Sequence, residues 1–202
     1  MKILLTAFGP FGGESVNPAL ESVRLVKAPE GVELVKKEIP TTFTLAGKTG
    51  VQAILEEKPD AVLCIGQAMG RADVVVERVA INVDDAKSPD NAGDIPCDRP
   101  IRADGPAAYF ATLPIKRIVQ AINDAGVPAK VSNSAGTFVC NHLMYSVLDE
   151  LAAAHPGVRG GFIHVPAIPE QTNNRNPMPP SMELPVIVRA IEAALRAIAE
   201  EQ

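Results

Sequence analysis

Tryptophan is absent from the chain, and two tyrosines and six phenylalanines are its whole aromatic complement in 202 residues. Cysteine is scarce as well: Cys64, Cys97 and Cys140 form an odd set with no C-x-x-C pair. That excludes a disulfide framework and a zinc ribbon, predicts no metal site, and makes a reducing cytoplasm the expected compartment. No apolar run reaches the roughly 18 residues that a membrane span needs. The apolar part of K-I-L-L-T-A-F near the start is too short for a secretory signal core. Charge of one sign never accumulates into a tail, and a net charge of −5 with a pI near 5.3 offers no footprint for nucleic acid.

What is present, 47% apolar and 21% charged residues, suits one globular domain spanning 1–202. Met1 to Phe8 reads as a buried strand ended by the turn G-P-F-G-G. Helical spacing over 18–28 puts Leu20 and Val23, with Val26 or Lys27, on an inward stripe. A strand over 32–39 closes at Pro40, and a helix over 43–58 carries Leu45, Val51, Ile54 and Leu55. A-V-L-C-I-G at 61–66 is the continuous apolar run of a central parallel strand. An extended segment over 73–83 precedes a loop over 84–104, long enough to point to function. A helix over 106–125, interrupted at Pro114, a strand over 129–132, a helix over 138–154 and a strand over 161–165 follow. After a loop over 166–180, Ser181 is expected to cap a last helix striped by Leu184, Ile187, Val188, Ile191, Leu195 and Ile198. This alternation predicts an α/β sandwich around a largely parallel sheet.

In such folds sites gather beyond the carboxyl ends of the strands, where three titratable residues could meet. In V-V-V-E-R-V-A-I-N-V, strand alternation sets Glu77 on one face with Val75, Val79, Ile81 and Val83. A carboxylate on so aliphatic a face should be partly buried and therefore paired, either with an arginine such as Arg71 or Arg78 or with a catalytic group. His164, in F-I-H-V-P at a strand end, reads as a core histidine or as a general base. His142 is two residues from Cys140 and so points elsewhere on a helix, and His155 sits at a helix end before Pro156. The stretch S-A-G-T-F-V-C-N-H-L-M-Y puts Cys140 in the first turn of a helix after a glycine-bearing approach. A helix N-terminus favours a thiolate; the alternative is packing, since free cysteine is among the most buried residue types. Cys64 lies in mid-strand and reads as core, and Cys97 lies in the polar loop.

Seven stretches occur in one order: T-A-F-G-P-F-G-G-E-S-V-N-P, C-I-G-Q-A-M-G-R, E-R-V-A-I-N-V-D-D-A, G-P-A-A-Y-F, L-P-I-K-R-I, S-A-G-T-F-V-C-N-H-L-M-Y and G-F-I-H-V-P-A-I-P-E-Q. With them the sequence resembles the pyroglutamyl peptidase I (pyrrolidone-carboxylate peptidase) family of cysteine exopeptidases, which remove an N-terminal pyroglutamyl residue. The resemblance covers nearly the full chain. It implies a three-layer α/β sandwich with a twisted mixed sheet, of a kind shared with phosphorylases. It implies a triad of Glu77, Cys140 and His164, no cofactor, peptides with an N-terminal pyroglutamate as partners, and a homotetramer. It further implies Phe8, Phe11 and Phe138 as walls for the pyrrolidone ring and Gln67 as a polar contact to the lactam. From the residues alone, Phe8 and Phe11 also read as a plug for the end of the sheet. Lys87 and Ser88 stand where an arginine and an aliphatic residue are common in the family, a departure that bears on the loop over 84–104 rather than on the triad. Another cysteine amidase, a phosphorylase-like enzyme and a non-catalytic binding module are the rival readings.

Overall fold

The apolar run near the N-terminus becomes β1 (Lys2–Phe8). The structure, a computed structural model, describes residues 1–200. Parallel neighbours β2 (Glu33–Ile39) and β3 (Ala61–Gln67) flank β1, and β8 (Arg159–Val165) extends the parallel run beside β3. β4 (Val74–Glu77) pairs antiparallel with β8 and parallel with β7 (Ala129–Ser132), giving the order β2-β1-β3-β8-β4-β7. Every residue of β3 is buried, the pattern of a strand covered on both faces.

One face of the sheet carries α1 (Pro18–Leu25), α3 (Ile115–Asp124) and α6 (Leu184–Ala199); the other carries α2 (Phe43–Glu57) and α4 (Val139–Ala154). Strand alternation therefore feeds two cores. Leu5, Ile65 and Ile163 meet Ile191 on the first face, while Leu4, Val62 and Phe162 meet Leu143 on the second. Each fully buried aliphatic side chain there contributes roughly 1.5–3 kcal/mol of transfer free energy. The result is the three-layer sandwich with a mixed, largely parallel sheet.

Several boundaries differ from the sequence expectation, each for a physical reason. The extended run over 73–83 breaks at Arg78, whose N–H donates to the Ser132 carbonyl and whose Nε donates to Asn133 Oδ1 at 2.7 Å. Beyond it β5 (Val79–Ile81) leaves the main sheet and pairs with β6 (Ala108–Phe110), so the shared face expected of Glu77 and Val79 ends at Glu77. The segment over 106–125 is accordingly a strand and then a helix, with Pro114 at the N-cap of α3, where its missing N–H is not needed. The loop over 166–180 contains one helical turn, α5 (Pro169–Thr172). Ser181 bridges to Ala167 instead of capping α6, whose N-cap is Glu183.

On α2, Leu45 and Leu55 are about half exposed, and the buried face is Ala46, Gly47, Gly50, Ala53 and Ile54. Small residues win because α2 lies close against α4: a methyl group on Gly47 would come within 2.5 Å of the Ser146 hydroxyl, and one on Gly50 within 2.7 Å of Leu143. On α1, the inward stripe is Leu20 and Val23, continued by Val26 at the C-cap, with Lys27 outside. The loop over 84–104 is fastened at both ends, by paired backbone contacts between Asp84 and Arg99 and by Asp90 accepting from the N–H of Phe43 at 2.8 Å.

Candidate active site

Glu77 and His164 share one face of the antiparallel β4–β8 pair. Glu77 stands opposite Phe162 and His164 opposite Val75, so carboxylate and imidazole meet on the diagonal. Glu77 Oε1 lies 2.8 Å from His164 Nδ1, with Glu77 fully buried and His164 nearly so. A carboxylate only accepts, so the contact places a proton on Nδ1. The other carboxylate oxygen, Oε2, is buried without a partner. Arg78, one of the partners the sequence offered for Glu77, instead serves Asn133.

Cys140 is the second residue of α4. The approach S-A-G-T turns at Gly136, whose φ of +79° lies in the left-handed region that glycine tolerates. Phe138 occupies the N-cap and supplies no side-chain hydrogen bond, so the first N–H groups of the helix are left without a capping side chain. Beneath the thiol lies Gly66, the register partner of His164 across the β3–β8 pair. A methyl on Gly66 would come within 2.8 Å of the Phe162 ring and 3.0 Å of Cys140 Sγ, so the missing side chain makes room for the sulfur. Both Cys140 and His164 line the same cavity, and no hydrogen bond joins them in this structure. Such contacts are commonly long before substrate arrives and tighten in the complex.

That cavity, about 130 Å³, is lined by Phe8, Phe11, Gln67 and Phe138 together with the thiol and the imidazole. Its volume is well below the roughly 300–1,000 Å³ of sites for drug-sized molecules, and suits one small ring. The Phe11 and Phe138 rings are 6.3 Å apart at their centroids, and Phe43 braces Phe138 edge-on at 5.3 Å. Phe8 is 2% exposed and also packs on Phe162, so it serves the core and the cavity wall at once.

Electrostatics at the sulfur run against the simplest sequence expectation. Burial pushes the Cys140 thiol up to about 12, with the negative charge of Glu77 and the neighbouring Cys64 acting in the same direction. A helix N-terminus typically contributes 0.3–1 kcal/mol, less than one pKa unit at 1.36 kcal/mol each, so it does not offset that burial. The resting sulfur is therefore held as a thiol.

Residues that sequence reasoning passed over complete the surroundings. Asn17, Thr41 and Ala135 also line the cavity. Asn17 caps α1 by accepting from the N–H of Ala19, and its Nδ2 donates to the Gly9 carbonyl; an asparagine directly before a helix-opening proline was the available signal. Asn141, fully buried, accepts from the N–H of Ile81 and donates to the carbonyls of Ile81 and Val83, tying α4 to β5. His142 points away from the cavity and pairs with Asp84 at 2.9 Å, and His155 pairs with Glu150. Cys64 is buried and Cys97 exposed. Among the described residues no three His, Cys, Asp or Glu side chains are grouped to hold a metal, and no helix is long and apolar enough to cross a membrane.

A thiol at a helix start, facing an imidazole held by a buried carboxylate on an α/β sandwich, defines a cysteine-type hydrolase. Comparison with known proteins gives the family. Residues 1–201 match the pyroglutamyl peptidase family. The chain is 53% identical over 199 residues to pyrrolidone-carboxylate peptidase 1 of Caldanaerobacter subterraneus, covering 98% of each chain. It is 54% identical over 201 residues to pyrrolidone-carboxylate peptidase 1 of Streptococcus pneumoniae, covering 99% of this chain and 94% of the relative. The crystal structure of pyroglutamyl peptidase I from Bacillus amyloliquefaciens superposes with a TM-score of 0.95 at 47% identity, over 99% of this chain and 97% of the other. The chain belongs to the pyroglutamyl peptidase family, and its reaction is the hydrolytic removal of an N-terminal pyroglutamyl residue.

Proposed function

We propose that Cys140 is the nucleophile of this peptidase, His164 its acid–base group and Glu77 the carboxylate that holds His164 in place. Phe8, Phe11 and Phe138 form the walls for the pyroglutamyl ring and Gln67 contacts the lactam. One observation carries the reading: the 2.8 Å Glu77–His164 contact stands behind a cavity that Cys140 shares with three of the chain's six phenylalanines.

The chemistry follows from the atoms. Cys140 Sγ gives its proton to His164 Nε2 as it attacks the carbonyl carbon next to the ring. Negative charge moves to the carbonyl oxygen, where the uncapped N–H groups at the start of α4 donate to it; one such donor is typically worth 10²–10³-fold in rate. The tetrahedral intermediate collapses to a thioester, and the imidazolium protonates the departing amine. Water then loses a proton to Nε2 and attacks the thioester, releasing pyroglutamate and the free thiol. Proton transfer by a positioned imidazole is typically worth 10²–10⁴-fold. Glu77 keeps Nδ1 protonated and stabilises the imidazolium.

The substrate ring is small, flat and uncharged, which fits aromatic walls with few polar groups. A peptide beginning with glutamate or glutamine brings a charge or an open amide chain and is expected to be rejected. The same reading makes residues 1–202 one catalytic domain, in keeping with a family match over 1–201 and one sheet between two cores. Cytoplasmic location accords with three free cysteines. A homotetramer accords with the family resemblance.

Pyroglutamyl-, prolyl- and glutaminyl-amides assayed side by side test the site assignment. The expected result is turnover of the first alone, lost in Cys140→Ala and retained in Cys64→Ser. Turnover surviving in Cys140→Ala would move the nucleophile elsewhere.

A further inference from the structure

Gln67, at the end of β3, is 8% exposed and lines the cavity. An amide presents a donor at one end and an acceptor at the other, and which end faces a ligand decides what the site reads. Here the orientation is set from outside the cavity. Gln67 Nε2 donates to Gln171 Oε1 at 2.8 Å, while the return contact, Gln171 Nε2 to Gln67 Oε1, is 3.5 Å.

Gln171, itself 8% exposed, is held by main chain on both sides. Its Oε1 accepts from the N–H of Ile168 at 3.3 Å, and its Nε2 donates to the Val16 carbonyl at 3.2 Å. Its own carbonyl accepts from Arg175 Nε, and Arg175 is paired with Glu14 in the first loop. Flipping the Gln171 amide would set N–H against N–H at Ile168 and oxygen against oxygen at Val16. Flipping Gln67 alone would set its oxygen against Gln171 Oε1. Backbone polarity at two distant points, Val16 and Ile168, is thereby passed through one buried side chain to another that borders the cavity.

We infer that Gln171, which is not itself part of the cavity wall, is a positioning residue that turns Gln67 Oε1 toward the substrate ring and so makes the pocket select a ring that donates a hydrogen bond. This rests on the reading of Gln67 as the lactam contact. A five-membered lactam satisfies the oxygen with its ring N–H. A five-membered lactone of nearly the same shape, with oxygen in place of N–H, sets one acceptor against another: the ring oxygen is left unpaired and Gln67 Oε1 keeps only the 3.5 Å contact from Gln171 Nε2. An unsatisfied buried acceptor costs enough to separate two such rings by roughly tenfold to a hundredfold.

The experiment measures inhibition constants for 2-pyrrolidone and γ-butyrolactone, which differ at that one ring atom, in competition with a pyroglutamyl amide. Wild type is expected to bind the lactam roughly tenfold to a hundredfold more tightly. In Gln171→Met, close to glutamine in volume, the ratio is expected to fall to about threefold or less, with KM for the pyroglutamyl amide raised and kcat changed less. Gln171→Glu restores an acceptor facing Gln67 Nε2 and is expected to recover the ratio, which a merely structural role would not produce. Gln171→Ser gives the same reading as Gln171→Met should the latter fail to fold. Equal affinity of wild type for the two rings, or an unchanged ratio in folded Gln171→Met or Gln171→Ser, overturns the inference. Gln67→Met separates the two levels. If it weakens both rings equally, the lactam contact itself is wrong; if it abolishes the ratio while the Gln171 variants keep it, only the role of Gln171 is.

Discussion

Glu77 and His164 lie diagonally across an antiparallel strand pair, Oε1 to Nδ1 at 2.8 Å, at the one place where β4 runs against the otherwise parallel part of the sheet. Had β4 run parallel to β8, the sequence that follows it would leave at the other end of the sheet. The antiparallel pairing lets a carboxylate from deep in the sheet reach back toward a histidine near the carboxyl end of β8.

Replacing Glu77 with Gln keeps the shape and removes the charge. The expected consequence is a fall in kcat of about 10²–10⁴-fold with KM changed only a few-fold, because the loss is in imidazolium stabilisation and tautomer control. Steady-state kinetics alongside a thermal melt check it; a kcat within threefold of wild type in a folded variant would sink the role given to Glu77.

Gly66→Ala introduces a methyl group between the Phe162 ring and Cys140 Sγ, at 2.8 and 3.0 Å. Overpacking of this kind typically costs 1–3 kcal/mol, and here the sulfur must also move. We expect a lowered urea midpoint together with a loss of kcat/KM larger than stability alone explains at a temperature where the variant is folded.

Cys64 makes stability sensitive to alkaline pH. Burial pushes its thiol from 9.0 up to about 12. Between those values the folded state holds a proton that the unfolded state has released, so stability is complete below 9 and falls as pH rises above it. The slope is about 1.4 kcal/mol per pH unit for one thiol, and Cys140 adds in the same direction. Urea unfolding at pH 8 and pH 10 should show the loss, and Cys64→Ala should reduce the difference between the two pH values by about 1.4 kcal/mol.

Asp90 holds the loop over 84–104 to the site. Burial raises its pKa, but hydrogen bonds from the backbone N–H groups of Phe43, Asp94, Ala92 and Gly93 outweigh burial and leave it below the ordinary carboxylate value. The stability it supplies is present at neutral pH and is lost as acid protonates it. Because it also caps α2 at Phe43, which braces Phe138, Asp90→Ala is expected to cost about 1–2 kcal/mol and to raise KM more than it lowers kcat. Chemical denaturation and kinetics measured together check this; a KM identical to wild type would contradict the bracing role.

Much of this arrangement is legible in the sequence where local pattern and tertiary structure agree. A-V-L-C-I-G reads as a central strand because burial on both faces demands unbroken apolar residues, and S-A-G-T before Cys140 reads as a helix entrance. Where local pattern and packing compete, packing wins. Alternation runs through Arg78 without a break, yet the sheet ends at Glu77 because Asn141 captures the backbone of β5. Large residues mark Leu45 and Leu55 as the inner face of α2, whereas proximity of α4 requires Gly47 and Gly50 there. Gln171 is legible locally only as the third residue of a helical turn accepting from the N–H of Ile168; its contacts to Gln67 and Val16, 104 and 155 residues away, leave no local mark. The thiol's resting state is also beyond the sequence, because burial depends on what the fold packs around the sulfur rather than on the helix start alone.

Acid-quenched mass spectrometry during turnover of a pyroglutamyl amide, followed by proteolysis and mapping of the acylated peptide, tests the central claim most directly. The expected result is a pyroglutamyl thioester on the peptide containing Cys140, absent from those containing Cys64 and Cys97 and absent throughout in Cys140→Ala. Acylation of another residue, or undiminished hydrolysis by Cys140→Ala, would contradict the account.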